Sequence, residues 1–405
     1  MKVFLLQLAT LICFSIAKFL LRRGIIFIAY GDAFGHQAWN TEHHARKYYS
    51  IFDRFPKIIA FQRSVNIPNK ALLAHHRSHG VWVIHSSNVF SRLFYYARAK
   101  WIKRPQHETS LSKDINDLIF CHYSMDELHL DPKTEDIKVA FPLTHLEQRQ
   151  ATRLLISEHL EQYKYFCFHD RTDTYKNLQE KIIGSKYRNS EHYEQARNTA
   201  LETIFSAAEL MHKKGIQAVR LGAAPEQTVG VDFINDYSSS RSSRDDFADL
   251  ALINYCKFFV GPNSGIWLFT RSFNRPICLV NVFPWPWINL PASRDRHNVI
   301  VPKKLWHTSE KRFLTIKEMT NMETRFHWKR LYDSSFFKSL SIEVVENTSE
   351  EICGAVTELN DRIDGEWNGP DYLVADFLTK DNIGHCSNAY ISEFFVRENK
   401  DIFTY

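Results

Sequence analysis

Phe258-Phe259-Val260-Gly261-Pro262-Asn263-Ser264-Gly265 is a short apolar run that closes on a turn of small and polar residues. A helical stretch follows to Phe273, and a second apolar run occupies residues 276–282. Strand, turn, helix and strand in that order make a βαβ unit, and such uninterrupted apolar strands belong to a parallel sheet buried on both faces. The alternation extends upstream. Residues 165–169 read as a strand, 196–214 as a long helix stopped by Gly215, and 216–221 as the next strand. A polar loop over 235–243 leads to a helix over 245–255, with Ser243 and Asp246 spaced as a capping box. Earlier still, the run 25–30 closes on Gly31-Asp32-Ala33-Phe34-Gly35 and precedes a His-rich helix over 36–49. Strands over 57–61 and 80–84 flank a helix over 69–79, and the polar stretch 103–116 reads as an exposed loop. Thr144 with Glu147 and Thr348 with Glu351 are further capping boxes, the second opening a helix over 350–362. The pattern predicts two α/β units in series, 24–145 and 146–405, each a parallel sheet with covering helices, preceded by a hydrophobic segment, 1–23.

Composition agrees with that organisation. A chain of 405 residues, 44% apolar and 24% charged, has the length for two domains and the apolar content for real cores. Only 14 Gly and 13 Pro exclude collagen-like and elastic sequences. Lys and Arg (51) exceed Asp and Glu (46) by +5, a weak bias over this length and no footprint for nucleic acid. The seven cysteines form no CxxC pair and no cluster with zinc spacing, and they read as small buried hydrophobes of a reducing compartment. Aromatic residues, 14% of the chain, are the unusual entry.

Residues 1–23 admit several readings. Ser15-Ile16-Ala17 fits a small-x-small cleavage site, and the apolar stretch before Lys18 is short for a membrane span. Gln7, Thr10, Ser15 and Lys18 share one helical face, and Lys18, Arg22 and Arg23 follow, which describes an interfacial helix. A helix packed on the core is the remaining alternative.

Three segments stand where a parallel sheet places its ligands, between a strand and a helix N-terminus. In the first, Phe168-His169-Asp170-Arg171-Thr172-Asp173, Arg171 can fork onto a diphosphate and His169 can donate to a leaving-group oxygen; the alternative is a charged loop with a local Arg–Asp pair. In the second, Asn263, Ser264 and Gly265 open a helix toward a phosphate, or form a plain N-cap. In the third, Asp236, Tyr237 and Ser238 suit a ribose or sugar, or form a solvated loop. The P-loop ending is absent after Gly265, as are GxSxG, HExxH and the kinase motifs. In the first half, Asp32, His36 and Glu42 are candidate bases; Trp39, and Trp285 and Trp287 after the run 276–282, are candidate contacts for a sugar or acceptor. His43-His44 lack further ligands at helical spacing, and His75-His76 with His79 read as a surface or packing cluster, with metal or phosphate binding as the alternative; no metal is expected.

From about residue 140 onward, these motifs in order resemble a bacterial family of surface-carbohydrate glycosyltransferases, distantly similar to fucosyltransferase-type enzymes. The resemblance rests on Pro142-Leu143-Thr144 with Glu147, His169-Asp170-Arg171, Gly215 with Arg220-Leu221-Gly222, Asp236-Tyr237-Ser238, Asp246-Phe247-Ala248-Asp249, Val260-Gly261 with Ser264-Gly265, Pro276 with Val280-Asn281, residues 346–352 and Phe394-Phe395. Gly35-His36 matches in the first half. It implies a GT-B-like fold, two Rossmann-like domains facing a cleft with a C-terminal helical tail, and a nucleotide sugar held by the second domain. His169 and Arg171 match the family's donor-diphosphate segment; Thr172 stands where that segment has a second arginine, and Asp173 comes one residue early. The expected activity is glycosyl transfer from a nucleotide-sugar co-substrate, with neither metal nor further cofactor, to a saccharide or lipid-linked acceptor at the cytoplasmic membrane surface. Arg171, His169, His36 and Asp32 are the expected catalytic residues, with Asp236, Tyr237, Ser238, Asn263, Ser264 and Gly265 joining Arg171 around the donor. A nucleotide-sugar epimerase on the same fold and a carbohydrate-binding protein without catalysis are the alternatives.

Overall fold

A computed structural model describes residues 15–31, 34–62, 69–85, 88–102, 118, 137–172, 195–222, 227–238, 245–285, 297–326, 328–331, 333–377 and 389–403. Residues 1–14, Asp32, the stretch 103–116, Asp173, the loop residues 239–243 and Trp287 lie outside the described residues. The chain divides into two compact units, Met1–Gln148 and Arg149–Tyr405.

The first unit is built on β1 (Ile25–Tyr30), α1 (Phe34–Phe52), β2 (Lys57–Gln62), α2 (Lys70–Ser78), β3 (Trp82–Ile84) and α3 (Val89–Ile102). Its three strands are parallel in the order β1-β2-β3. Alternate residues of β1, namely Ile26, Ile28 and Tyr30, enter a core with Ala60, Phe61, Tyr48 and Phe94. Phe61 and Phe94 stack at 4.3 Å, so part of the aromatic excess is core packing. Residues 15–22 are helical and seat Ala17 and Leu21 in the same core. That helix ends at Gly24, whose φ of +83° allows its amide to reach the Leu21 carbonyl. Its other face shows Ile16 at 50% exposure and Phe19 at 57%, with Arg23 lying over the Phe19 ring. Among the described residues, no helix is long and apolar enough to cross a membrane.

The division between units falls within α4 (His145–Ser157). After it come β4 (Tyr165–Phe168), α5 (Phe205–Lys213), β5 (Gln217–Arg220), β6 (Ile234–Asp236), α6 (Asp246–Tyr255), β7 (Phe259–Gly261), α7 (Gly265–Ser272), β8 (Ile277–Val282) and β9 (Val299–Pro302). A small antiparallel sheet is made by β10 (Lys304–His307), β11 (Arg312–Phe313) and β12 (Ile342–Val345), with α8 (Ile316–Arg325) inserted before β12. Then follow α9 (Ser349–Asp364), the short β13 (Tyr390–Ile391) and α10 (Glu393–Glu398), a largely helical tail. The main sheet runs β13-β9-β8-β7-β4-β5-β6, every pair parallel. From β6 to β9 this is the doubly wound Rossmann strand order. The fold class is α/β and GT-B-like in its elements: two parallel-sheet units in series with helices between the strands.

β4, β7 and β8 are buried along their whole length, as strands covered on both faces must be. Phe166 stacks on Phe258 at 5.2 Å, and the Tyr165 hydroxyl donates to the Leu252 carbonyl of α6. Cys167, Cys256 and Cys278 are buried free thiols. Asn347 opens the glycosylation sequon Asn347-Thr348-Ser349, but it is 2% exposed and exchanges amide bonds with Asn281, so it is no glycan acceptor in the folded chain.

One local reading changes. The helix expected over 196–214 is broken: Gln195–Arg197 and Leu201–Ile204 are 3-10 turns, and only Phe205–Lys213 is α-helical. The cap of α6 is Asp245, whose carboxylate accepts the Phe247 amide, while Ser243, expected to begin a capping box, lies outside the described residues.

Candidate functional site

From β4 the chain winds toward β5 and β6; from its neighbour β7 it winds the opposite way, toward β8 and β9. The connections after these two strands therefore diverge, and open parallel sheets bind ligands at such a switch point, beyond the carboxyl ends of the strands. Cys167 and Phe168 pair with Phe259 and Val260, which sets His169-Asp170-Arg171 beside Pro262-Asn263-Ser264. Glycine is required at 261 by this proximity, because a Cβ would stand 2.8 Å from the His169 carbonyl oxygen.

Arg171 is buried, and its Nη1 donates to Asn198 Oδ1 at 2.6 Å. The Asn198 carbonyl accepts from Lys303 Nζ, also at 2.6 Å. One neutral residue thus holds two buried cations, one at its side chain and one at its backbone. Glu346 lies 3.6 Å from Lys303. The next residue, Thr199, gives its amide to the Arg171 carbonyl, while its buried Oγ1 has no hydrogen-bond partner. Ser264 is the N-cap of α7, yet its side chain makes no cap bond, and its Oγ is buried and equally unpartnered. Arg197 donates to the Asn263 carbonyl and so joins this stretch to the turn after β7. Orphaned buried hydroxyls are costly unless something fills them. Two cations, two hydroxyls and a helix N-terminus are what an anionic oxygen group needs.

His169 donates from Nδ1 to the Leu221 carbonyl at 3.1 Å. Burial pulls its pKa down, Asp170 and the Leu221 bond oppose this, and Arg171 and Arg220 add to it. The ring is therefore neutral near pH 7 and presents Nε2 as an acceptor. Asp170 does not pair locally with Arg171. Its two oxygens take Nε and Nη2 of Arg220, each at 2.8 Å, and Arg220 also reaches Asp236 at 3.3 Å and the Gln227 carbonyl at 2.7 Å.

That arrangement changes the part several expected residues play. Asp236 is engaged by Arg220 and by the amides of Val229 and Ser238, so it braces the sheet end. Tyr237 and Ser238 are buried behind it, Tyr237 lining a separate cavity of about 310 Å³ with Gln150, Arg153 and Phe247. Asn263 bonds Phe283 through both ends of its amide, and the Ser264 amide is taken by the Pro262 carbonyl, leaving the Ser264 hydroxyl and the first amides of α7 toward a ligand. In the first unit, His36 is half-buried in the first turn of α1. Glu42 is buried, paired with Arg46 at 2.7 Å and bonded by the Ala140 amide, so it serves structure. Trp39 and Trp285 are fully buried and unavailable for stacking on a sugar.

No protein-family model matches the chain, and no curated protein matches it. Among solved structures it is similar to a glycosyl transferase of family 9 from Veillonella parvula DSM 2008, at 13% identity over 83% of this chain and 97% of that one, with a TM-score of 0.45. It is also similar to the E. coli ADP-heptose LPS heptosyltransferase II (14% identity, 63% of this chain, 83% of that one, TM-score 0.32). A third is the E. coli heptosyltransferase WaaC with ADP (11% identity, 69% and 90% covered, TM-score 0.31).

Lys303 and Asn198 were not among the residues expected from sequence. A lysine following the buried run Val299–Pro302 was the available signal, since buried lysines need a partner or a task. Burial pulls the Lys303 pKa down to about 8, with Glu346 opposing and the charge of Arg171 assisting. An anion bound here favours the charged amine, so affinity for an anionic ligand should fall above pH 8, by up to about tenfold per pH unit. The free protein has the opposite slope. Its unfolded chain binds more protons between about pH 8 and 10.5, so stability gains from this group across that window. Titration calorimetry from pH 7 to 10 on wild type and Lys303→Met checks the first expectation; a step that persists in the variant overturns it.

Proposed function

We propose that the chain is a glycosyltransferase that uses a nucleotide-sugar donor and a saccharide or lipid-linked acceptor, in surface polysaccharide or glycan synthesis. The reading is carried by the two cations that Asn198 gathers at the switch point, beside the unpartnered hydroxyls of Thr199 and Ser264. In the reaction an acceptor oxygen forms a bond to the anomeric carbon. The carbon–oxygen bond to the diphosphate breaks, and its electron pair leaves with the nucleotide. Arg171, Lys303 and the N-terminus of α7 stabilise that growing charge. We assign neutral His169 to orienting the donor through Nε2 rather than to protonating it. The acceptor proton goes to a base, for which His36 and Asp32 are our candidates. The chemistry as written uses no metal and no further cofactor.

Membrane attachment at the cytoplasmic face is part of the proposal, supported by exposed Ile16 and Phe19 among Lys18, Arg22 and Arg23. Flotation with anionic vesicles tests it against neutral ones.

The deciding assay incubates the purified protein with a panel of nucleotide sugars and follows free nucleotide with and without membrane extract. Release that depends on the extract supports transfer. Conversion of the sugar without acceptor would make it an epimerase, and glycan binding without nucleotide release a binding protein. Thermal-shift screening against GDP, UDP, CMP and ADP identifies the base.

A further inference from the structure

A second constellation stands in the first unit, among residues given no part in the chemistry above. His75 and His79 lie one turn apart at the end of α2, their rings 4.9 Å apart. Glu147, 72 positions beyond His75, comes to meet them. The Nε2 of His75 is 3.0 Å from the Phe141 carbonyl, and that of His79 is 2.7 Å from the Pro142 carbonyl. A carbonyl only accepts, so each Nε2 carries a hydrogen and each neutral ring keeps its lone pair on Nδ1. Yet Nδ1 of His75 faces the Glu147 oxygens at 3.0 and 3.1 Å. A lone pair so close to a carboxylate requires something positive between them, a second proton or a shared cation.

Three observations favour the cation. One ligand atom from each of His75, His79 and Glu147 lies within 4.8 Å of the others. Ligands about 2.0–2.1 Å from a tetrahedral zinc ion stand roughly 3.3 Å apart, so small movements close the set. Both imidazoles already give their second nitrogen to a backbone carbonyl, the support that metal-bound histidines use to fix their tautomer. Glu147 Oε2 is occupied by the amide and hydroxyl of Thr144, each at 2.8 Å, which turns Oε1 toward the histidines. His76, between them in sequence, faces away and accepts the Tyr30 hydroxyl.

We propose that His75, His79 and Glu147 form a binding site for a divalent transition metal, best suited to Zn²⁺ by its two imidazoles and one carboxylate. The ion would pin the end of α2 to the segment Phe141–Glu147, a structural role independent of the glycosyl-transfer reading. Sequence left it a minor alternative, because histidines at helical spacing supply only two ligands and the third comes from a distant capping box.

The test uses the full chain stripped by a chelator and titrated with Zn²⁺, or with Co²⁺ as a spectroscopic probe. Wild type should retain one equivalent of Zn²⁺ through gel filtration, gain thermal stability, and give the intense visible bands of tetrahedral Co²⁺. His79→Asn and Glu147→Gln should each weaken binding at least tenfold and lose those bands. His79 is half-exposed at a helix end, so that variant remains informative if Glu147→Gln folds poorly. Wild type that keeps no stoichiometric metal overturns the proposal and leaves a protonated His75 as the bridge. Equal Zn²⁺ retention and unchanged Co²⁺ bands in His79→Asn overturn it as well.

Discussion

Arg171→Ala should lower donor turnover by about 10²–10³ while the chain stays folded. The guanidinium is buried, oriented by Asn198 at 2.6 Å, and stands at the switch point where a diphosphate would leave. A preorganised donor aimed at developing negative charge contributes about 2.7–4 kcal/mol to the transition state. Its ground-state contact to a nucleoside diphosphate, a charge-assisted bond, is worth about 1.5–3 kcal/mol, so affinity should fall roughly ten- to hundredfold. Among its losses the fold gives up the charge-assisted bond to Asn198, worth about 1.5–3 kcal/mol. Arg171→Lys separates charge from shape: it keeps a cation but loses the planar fork, and should recover binding better than turnover. Initial rates of nucleotide release, calorimetric nucleotide affinity and melting temperature measure the three effects. A kcat/KM within threefold of wild type removes Arg171 from the proposed chemistry.

The doubly wound sheet was legible because strands buried on both faces are continuous apolar runs, and these are hard to read otherwise. Phe259–Gly261 and Ile277–Val282 differ from their readings only at the ends. The site was half legible. Arg171 and Ser264 follow directly from strands, so strand periodicity placed them. Asn198, Thr199 and Lys303 come from elsewhere in the chain, and no local pattern joins them to Arg171. The misread helix over 196–214 has the same origin. Its composition favours helix, but the Thr199 amide bonds the Arg171 carbonyl and the Asn198 carbonyl bonds Lys303, so tertiary partners take the groups a helix would use. Aromatic side chains misled in the other direction. Trp39 looked like a sugar platform in a polar stretch, but it is buried beside Arg46, whose guanidinium lies 5.6 Å from its ring.

Arg220→Met should cost about 3–5 kcal/mol of stability, a large part of the 5–15 kcal/mol that holds a typical domain together. Arg220 is 1% exposed and joins the ends of three adjacent strands: Asp170 beyond β4, its own position in β5, and Asp236 in β6. Both carboxylates are 8% exposed, so removing the guanidinium strands two negative charges in a low-dielectric space. Asp236→Asn should be milder, because the bidentate pair with Asp170 survives. Neutralising all three, in Arg220→Met/Asp170→Asn/Asp236→Asn, should restore much of the loss, since a buried pair replaced by neutral groups of similar size is often tolerated. Urea unfolding at constant m-value reads these differences as shifts in midpoint. The ordering matters more than the size. Asp170 immediately precedes Arg171, and the Leu221 carbonyl that holds His169 immediately follows Arg220. The triple variant should therefore fold and still turn over donor more slowly than wild type, because the residues that aim Arg171 and His169 have lost their bidentate anchor. Full activity in a stable triple variant would show that the triad supports the sheet alone and leaves the aim of Arg171 to Asn198.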